Sequence, residues 1–112
     1  MSDIGEFDRR INFIRSERQR DATGGLRNAG NIPLCWAWAK RSDVSDSEQV
    51  AADQKAGVLR SRFVVYSTAL TRQVGTRDFI ELDGERWEIV GKKETKDARR
   101  LFLEFTAIIG ID

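Results

Sequence analysis

Few side chains of this sequence are arranged for catalysis. The chain has no histidine, which excludes Ser-His-Asp and Cys-His catalysis and histidine-ligated zinc. The single cysteine, Cys35, excludes an internal disulfide and a cysteine-rich metal site. Carboxylates suited to acid–base chemistry occur in pairs, Glu81 with Asp83 and Asp43 with Asp46, but no nucleophile or orienting group accompanies them. We therefore expect a protein that is not an enzyme and that uses neither a metal ion nor another cofactor.

The tryptophans indicate a binding role. Trp36 and Trp38 lie two residues apart, Lys40 and Arg41 follow them directly, and Tyr66 ends a later apolar run. Aromatic rings beside basic side chains are typical of surfaces on which the bases of single-stranded nucleic acid stack. Large aromatic rings also dominate the packing of small cores and of protein interfaces. The second interpretation is favoured here, and the first stays open as a hypothesis.

An acidic segment without any basic residue runs from Ser42 to Gln54. Its carboxylates belong to Asp43, Asp46, Glu48 and Asp53. The pattern indicates either a helix with a solvated face or an acidic surface that faces another negative charge without binding it. Composition alone leaves both interpretations open.

A segment rich in glycine and arginine lies between Glu17 and Asn31. Paired glycines among polar residues predict no regular element there. A loop of this length in a small domain is more often functional than idle. It is either a flexible surface loop or a docking arm that becomes ordered on an acidic partner. The arginines assigned to such contacts are Arg18, Arg20 and Arg27.

The composition is that of one small globular domain, spanning residues 1–112. Lys and Arg number 19 and Asp and Glu number 18, so the net charge of +1 disfavours a dedicated binder of duplex DNA. The longest apolar run, Leu34 to Ala39, is too short to cross a bilayer. The first residues lack the basic and apolar regions of a signal peptide, and one free thiol fits a reducing cytosol.

Short alternating segments predict that β-strands form most of the fold. The dipeptide Asp83-Gly84 predicts a tight hairpin turn that brings Ile80 and Leu82 near Trp87 and Ile89. The charged stretch from 92 to 100 is interpreted as a loop, and a capping-box pattern predicts a short helix at about 46–54. Strands are predicted at residues 9–16, from Pro33 onward, and at 58–69, 79–82, 85–90 and 101–109.

These elements predict an all-β protein, a small antiparallel β-barrel of about six strands with one short helix and a long loop. Closure of the sheet is expected because it removes exposed strand edges.

The order of these motifs resembles the head–tail joining family of tailed bacteriophages, the head-closure or stopper proteins. The opening Ile4-Gly5-x-Phe7-x-Arg9-Arg10-Ile11 is similar to the start of that family, and Asp78 to Ile89 is similar to its hairpin. Further similar segments are Trp38-Ala39 with the acidic stretch after it, Arg62 to Tyr66, and Arg100 to Leu103. The resemblance covers nearly the whole chain and implies a small β-barrel.

The resemblance also implies a structural role in the virion, at the head–tail interface. Such proteins form a ring, commonly of six copies, below the portal and adaptor rings. The ring closes the DNA exit channel after packaging and offers the surface on which the tail docks. The implied partners are adaptor or portal proteins above, a tail terminator or tail tube protein below, and double-stranded DNA that passes without specific binding. No membrane is involved.

By position, residues 42–57 correspond to the loop of that family that reaches toward the channel. Asp43, Asp46, Glu48 and Asp53 are accordingly assigned to the channel, where carboxylates would repel DNA phosphates. Arg18, Arg20, Arg27, Trp36 and Trp38 are assigned to contacts within the ring or with partner proteins. The alternatives are another neck component, either an adaptor or a tail terminator, and a small barrel that binds single-stranded nucleic acid.

Overall fold

A computed structural model of the chain describes residues 6–20, 26–44, 57–97 and 100–110. It contains six strands and one short helix, here named in chain order. They are β1 (Arg9–Arg20), β2 (Leu26–Asp43), β3 (Val58–Tyr66), α1 (Ala69–Arg72), β4 (Asp78–Leu82), β5 (Glu85–Asp97) and β6 (Arg100–Gly110).

The six strands form one antiparallel sheet that closes on itself. Around the closed sheet the strands follow the order β1, β2, β3, β6, β5, β4, and β4 returns to β1. The predicted all-β fold, a small closed sheet of about six antiparallel strands, is confirmed. The described helix is α1, whereas the helix predicted at 46–54 lies outside the described residues.

Alternate residues of the strands fill the interior. On β3, Ser61, Phe63 and Val65 are fully buried while the residues between them face outward. Phe63 packs edge-on against Trp87 with ring centroids 5.4 Å apart. The remaining buried apolar core residues are Ile11, Phe13, Ala39, Val74, Ile80, Leu82, Ile89, Leu103, Phe105 and Ala107.

The turn between β4 and β5 forms as the sequence predicts. Asp83 and Gly84 both have positive φ, 52° and 79°, the signs required by a type I′ turn. The turn sets Ile80 opposite Trp87, so both side chains enter the core.

The prediction of no regular element between Glu17 and Asn31 is wrong for residues 17–20 and 26–31, and residues 21–25 lie outside the described part of the chain. β1 continues to Arg20 and β2 begins at Leu26, and the two strands pair as far as Arg20 opposite Leu26. Beyond Arg15, β1 pairs with β2 alone, so residues 16–20 and 26–31 form a two-stranded extension, hereafter the β1–β2 arm. Gly30 adopts φ +129°, which residues with a Cβ rarely adopt, next to the register shift between Glu17 and Arg18.

The prediction of a charged loop from Lys92 to Arg100 is likewise wrong for residues 92–97. β5 extends to Asp97, which pairs with Arg100 of β6. Charged side chains suit this ladder because they face solvent and pair across it, as Lys93 does with Glu104 at 3.7 Å.

The third strand ends at Tyr66, earlier than its predicted end at residue 69, because a helix cap follows. The Thr71 amide donates to the Thr68 hydroxyl over 3.1 Å, and the Thr68 amide donates to the Thr71 hydroxyl over 2.9 Å. This reciprocal cap begins α1. The segment after α1 then places Val74 in the core.

A buried carboxylate fixes the start of β4. The Asp78 side chain is fully buried and accepts hydrogen bonds from Arg15 Nε at 2.8 Å, Arg15 Nη2 at 3.1 Å and the Gly75 amide at 2.8 Å. Burial alone would raise the pKa of Asp78, but the hydrogen bonds from Arg15 and Gly75 outweigh it and hold the pKa below its usual range. Asp78 therefore ties the segment after α1 to β1.

The antiparallel pairing distributes the connections between two ends of the sheet. β1, β3 and β5 run in one direction, so the β1–β2 arm, α1 and the tip of the β5–β6 hairpin share one end. The other end carries the Asp83-Gly84 turn, the end of β6 and the point where the acidic segment leaves β2. The molecule is elongated, 53 by 35 by 23 Å.

Candidate interaction surface

A concave surface opens where β2 and β3 separate. These strands pair only from Lys40 to Asp43 of β2, although both extend further toward the arm end. The widening gap leaves an open groove of about 620 Å³. Its walls are mostly apolar and are formed by Phe7, Trp36, Ala37, Trp38, Tyr66, Thr68, Leu70 and Thr71.

The two predicted contact tryptophans stand on this surface. Trp36 and Trp38 lie on the outer face of β2 and expose 52% and 50% of their surface, while Ala39 is buried on the inner face. Their rings meet edge-on with centroids 6.3 Å apart. Leu70 of α1, 58% exposed, borders the same groove. Exposed apolar groups gathered in this way are typical of docking surfaces.

Three stacked aromatic rings support the groove from the β3 side. Phe7 packs against Tyr66 and Phe102 at centroid distances of 5.0 and 5.7 Å. Lys40 Nζ lies 3.6 Å from a carboxylate oxygen of Glu6, which holds the segment before β1 over β2. The groove is therefore built on a packed base.

A basic side chain already covers one of the tryptophans. The Arg10 guanidinium lies 4.4 Å from the centre of the Trp36 ring. A nucleobase stacking on that ring face would have to displace it. The geometry thus favours protein docking over the stacking of single-stranded nucleic acid.

A second hollow extends the apolar surface along β2. It has a volume of about 350 Å³ and shares Trp36 with the groove between β2 and β3. Its other lining residues are Asn12, Ile14, Pro33, Leu34, Cys35 and Glu81. Burial raises the pKa of the Cys35 thiol, which makes it a poor nucleophile. We call the outer surface formed by Trp36, Trp38 and Leu70 the tryptophan face.

The first carboxylate of the acidic segment is firmly placed. The Ser61 hydroxyl and Arg41 Nε, the latter at 3.1 Å, both donate to Asp43 Oδ1. The hydrogen bond from Ser61 lowers the pKa of Asp43, and Arg41 and Arg9 add to that effect. The Arg41 guanidinium also lies 4.8 Å from the centre of the Trp87 ring. Asp43 is therefore an ionised, half-exposed group at the mouth of the sheet.

The other assigned carboxylates, Asp46, Glu48 and Asp53, lie outside the described residues. Arg18, Arg20 and Arg27 fall on the β1–β2 arm, where Arg18 pairs with Asn28 and Arg27 pairs with Gln19. The side chains of these three arginines lie outside the described part of the chain. Of the assigned contact residues, the structure thus brings together Trp36 and Trp38.

Two components of the surface were not identified from the sequence. Phe7 and Leu70 line the groove, yet neither stands in an alternating apolar run. Within the ranges described, no group of three His, Cys, Asp or Glu residues could hold a metal ion. No described helix has the length and apolar character needed to cross a membrane.

The chain matches several chains of known structure. Protein SF1141 from Shigella flexneri 2a is 22% identical, with a TM-score of 0.62 and coverage of 95% of each chain. A chain from the virion of a native gene transfer agent particle is 19% identical, with a TM-score of 0.67 and coverage of 93% of this chain and 94% of that one. No curated protein sequence matches the chain.

A family model provides the assignment. The model of the phage head completion protein family matches residues 2–110, nearly the entire sequence. This agrees with the motifs that resemble head–tail joining proteins and with the closed β-sheet. The chain belongs to the phage head completion protein family, structural components of the virion at the head–tail interface.

Proposed function

We propose that the protein forms a ring at the head–tail interface, closes the DNA exit channel after packaging and offers the surface on which the tail docks. Membership of the phage head completion protein family carries this proposal. The role is structural and non-enzymatic, and the whole chain, residues 1–112, acts as one domain in it. The partners are further copies of the chain, adaptor or portal proteins on one side, and a tail terminator or tail tube protein on the other.

The acidic segment is proposed to face the channel. Asp43 supports this role because hydrogen bonds and nearby cations hold it in the ionised form at the end of β2. Asp46, Glu48 and Asp53 continue the negative charge along the sequence without an intervening basic residue. Fixed carboxylates repel DNA phosphates, so the genome could pass without adhering.

The β1–β2 arm is proposed to contact a neighbouring ring through Arg18, Arg20 and Arg27. It extends from the end of the sheet opposite to the one at which β2 ends with Asp43. This separation supports two distinct roles, because one end of the sheet can face the channel while the other end contacts a partner protein. Basic side chains on an arm favour an acidic partner surface.

Deletion of the gene tests the proposal most directly. Electron microscopy of the resulting particles should show tailless heads that have lost their DNA beside normal finished tails. DNA-filled heads with tails of abnormal length would instead indicate a tail terminator. Unaltered particles would refute a role in the neck.

Nucleic-acid binding is tested separately by titrating the purified protein with a single-stranded oligonucleotide while monitoring tryptophan fluorescence. We expect no saturable change at physiological salt. A saturable change that weakens steeply with salt would favour a binding role for Trp36, Trp38 and Tyr66.

A further inference from the structure

The chain enters its first strand along the edge of the groove between β2 and β3. The described residues begin with Glu6, and the next residue, Phe7, already forms part of the groove wall. Residues 1–5 precede Glu6 and lie outside the described part of the chain. They are therefore attached to the molecule directly at the groove.

Two side chains fix this point of attachment. A carboxylate oxygen of Glu6 lies 3.6 Å from Lys40 Nζ of β2. Phe7 is buried and stacks on Tyr66 of β3 with ring centroids 5.0 Å apart. Lys40 and Val64 form the last pair before β2 and β3 separate. Glu6 and Phe7 thus cross from β2 to β3 at the closed end of the groove.

The tryptophan face lies within reach of residues 1–5. Trp38 stands two residues from Lys40 on the same face of β2, about 7 Å along the strand. Ile4 stands two residues before Glu6, so in an extended chain its Cα can lie up to about 7 Å from the Cα of Glu6. Ile4 is also the apolar residue of the segment that is nearest to this attachment. The other residues of the segment are Met1, Ser2, Asp3 and Gly5.

The groove suits an aliphatic side chain. Trp38 and Leu70 expose 50% and 58% of their surfaces on it. The polar residues of its wall, Thr68 and Thr71, are engaged with each other in the cap of α1. Covering apolar surface is favourable in proportion to the area removed from water. Isoleucine brings no polar side-chain atom that would lose its hydrogen bonds to water there.

Covalent attachment favours this segment over an occupant from another molecule. A segment on a short tether is present at an effective concentration on the order of millimolar, whatever the protein concentration. Because Glu6 and Phe7 are already held in place, docking would order only the few residues before them. A second copy or a partner protein would in addition lose the freedom of a whole molecule.

We propose that residues 1–5 fold onto the groove and place the Ile4 side chain against Trp38 and Leu70. The tryptophan face is then partly covered in the free chain. A protein that docks on this face must first displace residues 1–5. The inference concerns the chain by itself and is independent of the proposed ring and channel.

Quenching of tryptophan fluorescence by acrylamide tests the contact. The chain has three tryptophans and Trp87 is buried, so Trp36→Phe leaves Trp38 as the accessible reporter. In that background Ile4→Ser should raise the quenching constant at least about 1.5-fold, because the 50% of Trp38 that is exposed is the surface that Ile4 would cover. Deletion of residues 2–5 should raise it at least as much. The control Val90→Ser removes an exposed apolar side chain from β5, three strands away from β2, and should leave the constant unchanged.

Proton NMR of the unaltered chain gives a second readout. Nuclear Overhauser cross-peaks should connect the methyl groups of Ile4 with the indole protons of Trp38. The absence of these cross-peaks, or a quenching constant that neither Ile4→Ser nor the deletion changes, would overturn the proposal. A quenching constant of the unaltered chain that falls as the protein concentration rises would assign the groove to a second copy and would overturn it as well.

Discussion

The anchor formed by Asp78 gives a stability prediction whose size follows from its surroundings. Its carboxylate is fully buried and accepts three hydrogen bonds, two from Arg15 and one from the Gly75 amide. In Asp78→Asn the amide keeps the shape but loses the charge, and its NH2 group faces donors. Breaking a buried ion pair in this way costs about 3–5 kcal/mol.

The lower end of that range applies because Arg15 retains a quarter of its side-chain exposure, so water can solvate the guanidinium that loses its partner. We expect Asp78→Asn to lower the free energy of unfolding by about 3 kcal/mol at pH 7. At about 4 °C per kcal/mol for a domain of this size, the melting temperature should fall by roughly 12 °C. Thermal and urea unfolding followed by circular dichroism measure both quantities.

The effect should depend on pH in one direction. Since the folded-state pKa of Asp78 is lowered, its contribution is present above the unfolded-state pKa, near about 4, and is lost as pH falls through the folded-state pKa. The difference between wild type and Asp78→Asn should therefore shrink on acidification. Asp83→Asn, in the exposed turn, is the matched control and should change stability by less than about 0.5 kcal/mol. A loss below about 1 kcal/mol for Asp78→Asn, or a loss independent of pH, would refute the reasoning.

Three further changes test other parts of the structure. Phe105→Ala should lower the free energy of unfolding in urea by about 3–5 kcal/mol because the ring is fully buried. Val90→Ala, at an exposed position of β5, should lower it by less than about 0.5 kcal/mol. Similar losses for the two variants would contradict the assignment of Phe105 to the core. Gly84→Ala should lower the free energy of unfolding by about 1 kcal/mol because the residue has φ +79°, and an unchanged value would argue against the type I′ turn. Ser61→Ala should raise the pKa of Asp43 toward its ordinary value, as measured by NMR titration of the carboxyl carbon; an unmoved pKa would show that the hydroxyl does not donate to it.

The interior of the fold could be predicted from the sequence because its signals are local. Alternation predicts that Phe63 and Val65 share one face of β3, which is buried, and that Trp36 and Trp38 share one face of β2, which is exposed. The Asp-Gly pair set the register of its hairpin because a two-residue turn allows one pairing. Closure of the sheet followed from the number of strands and the cost of free edges.

The arm and the groove depend on information that is not local. A two-stranded ribbon that covers no core needs no apolar alternation, so residues 17–31 carry no strand signal. Helix α1 has only four residues and a cap made by two threonines, which is too short for a periodic pattern. The groove forms because β2 leaves β3 beyond Lys40, and only the pairing of distant segments determines that point.

The length of the β1–β2 arm can change without changing the stability of the closed sheet. Its two strands pair with each other alone, so their outer residues support neither the core nor the closure of the sheet. Adding or removing one residue on each strand would lengthen or shorten the arm while the pairing nearer the sheet keeps its register. A change in the length of the arm would therefore leave the interior of the fold as it is.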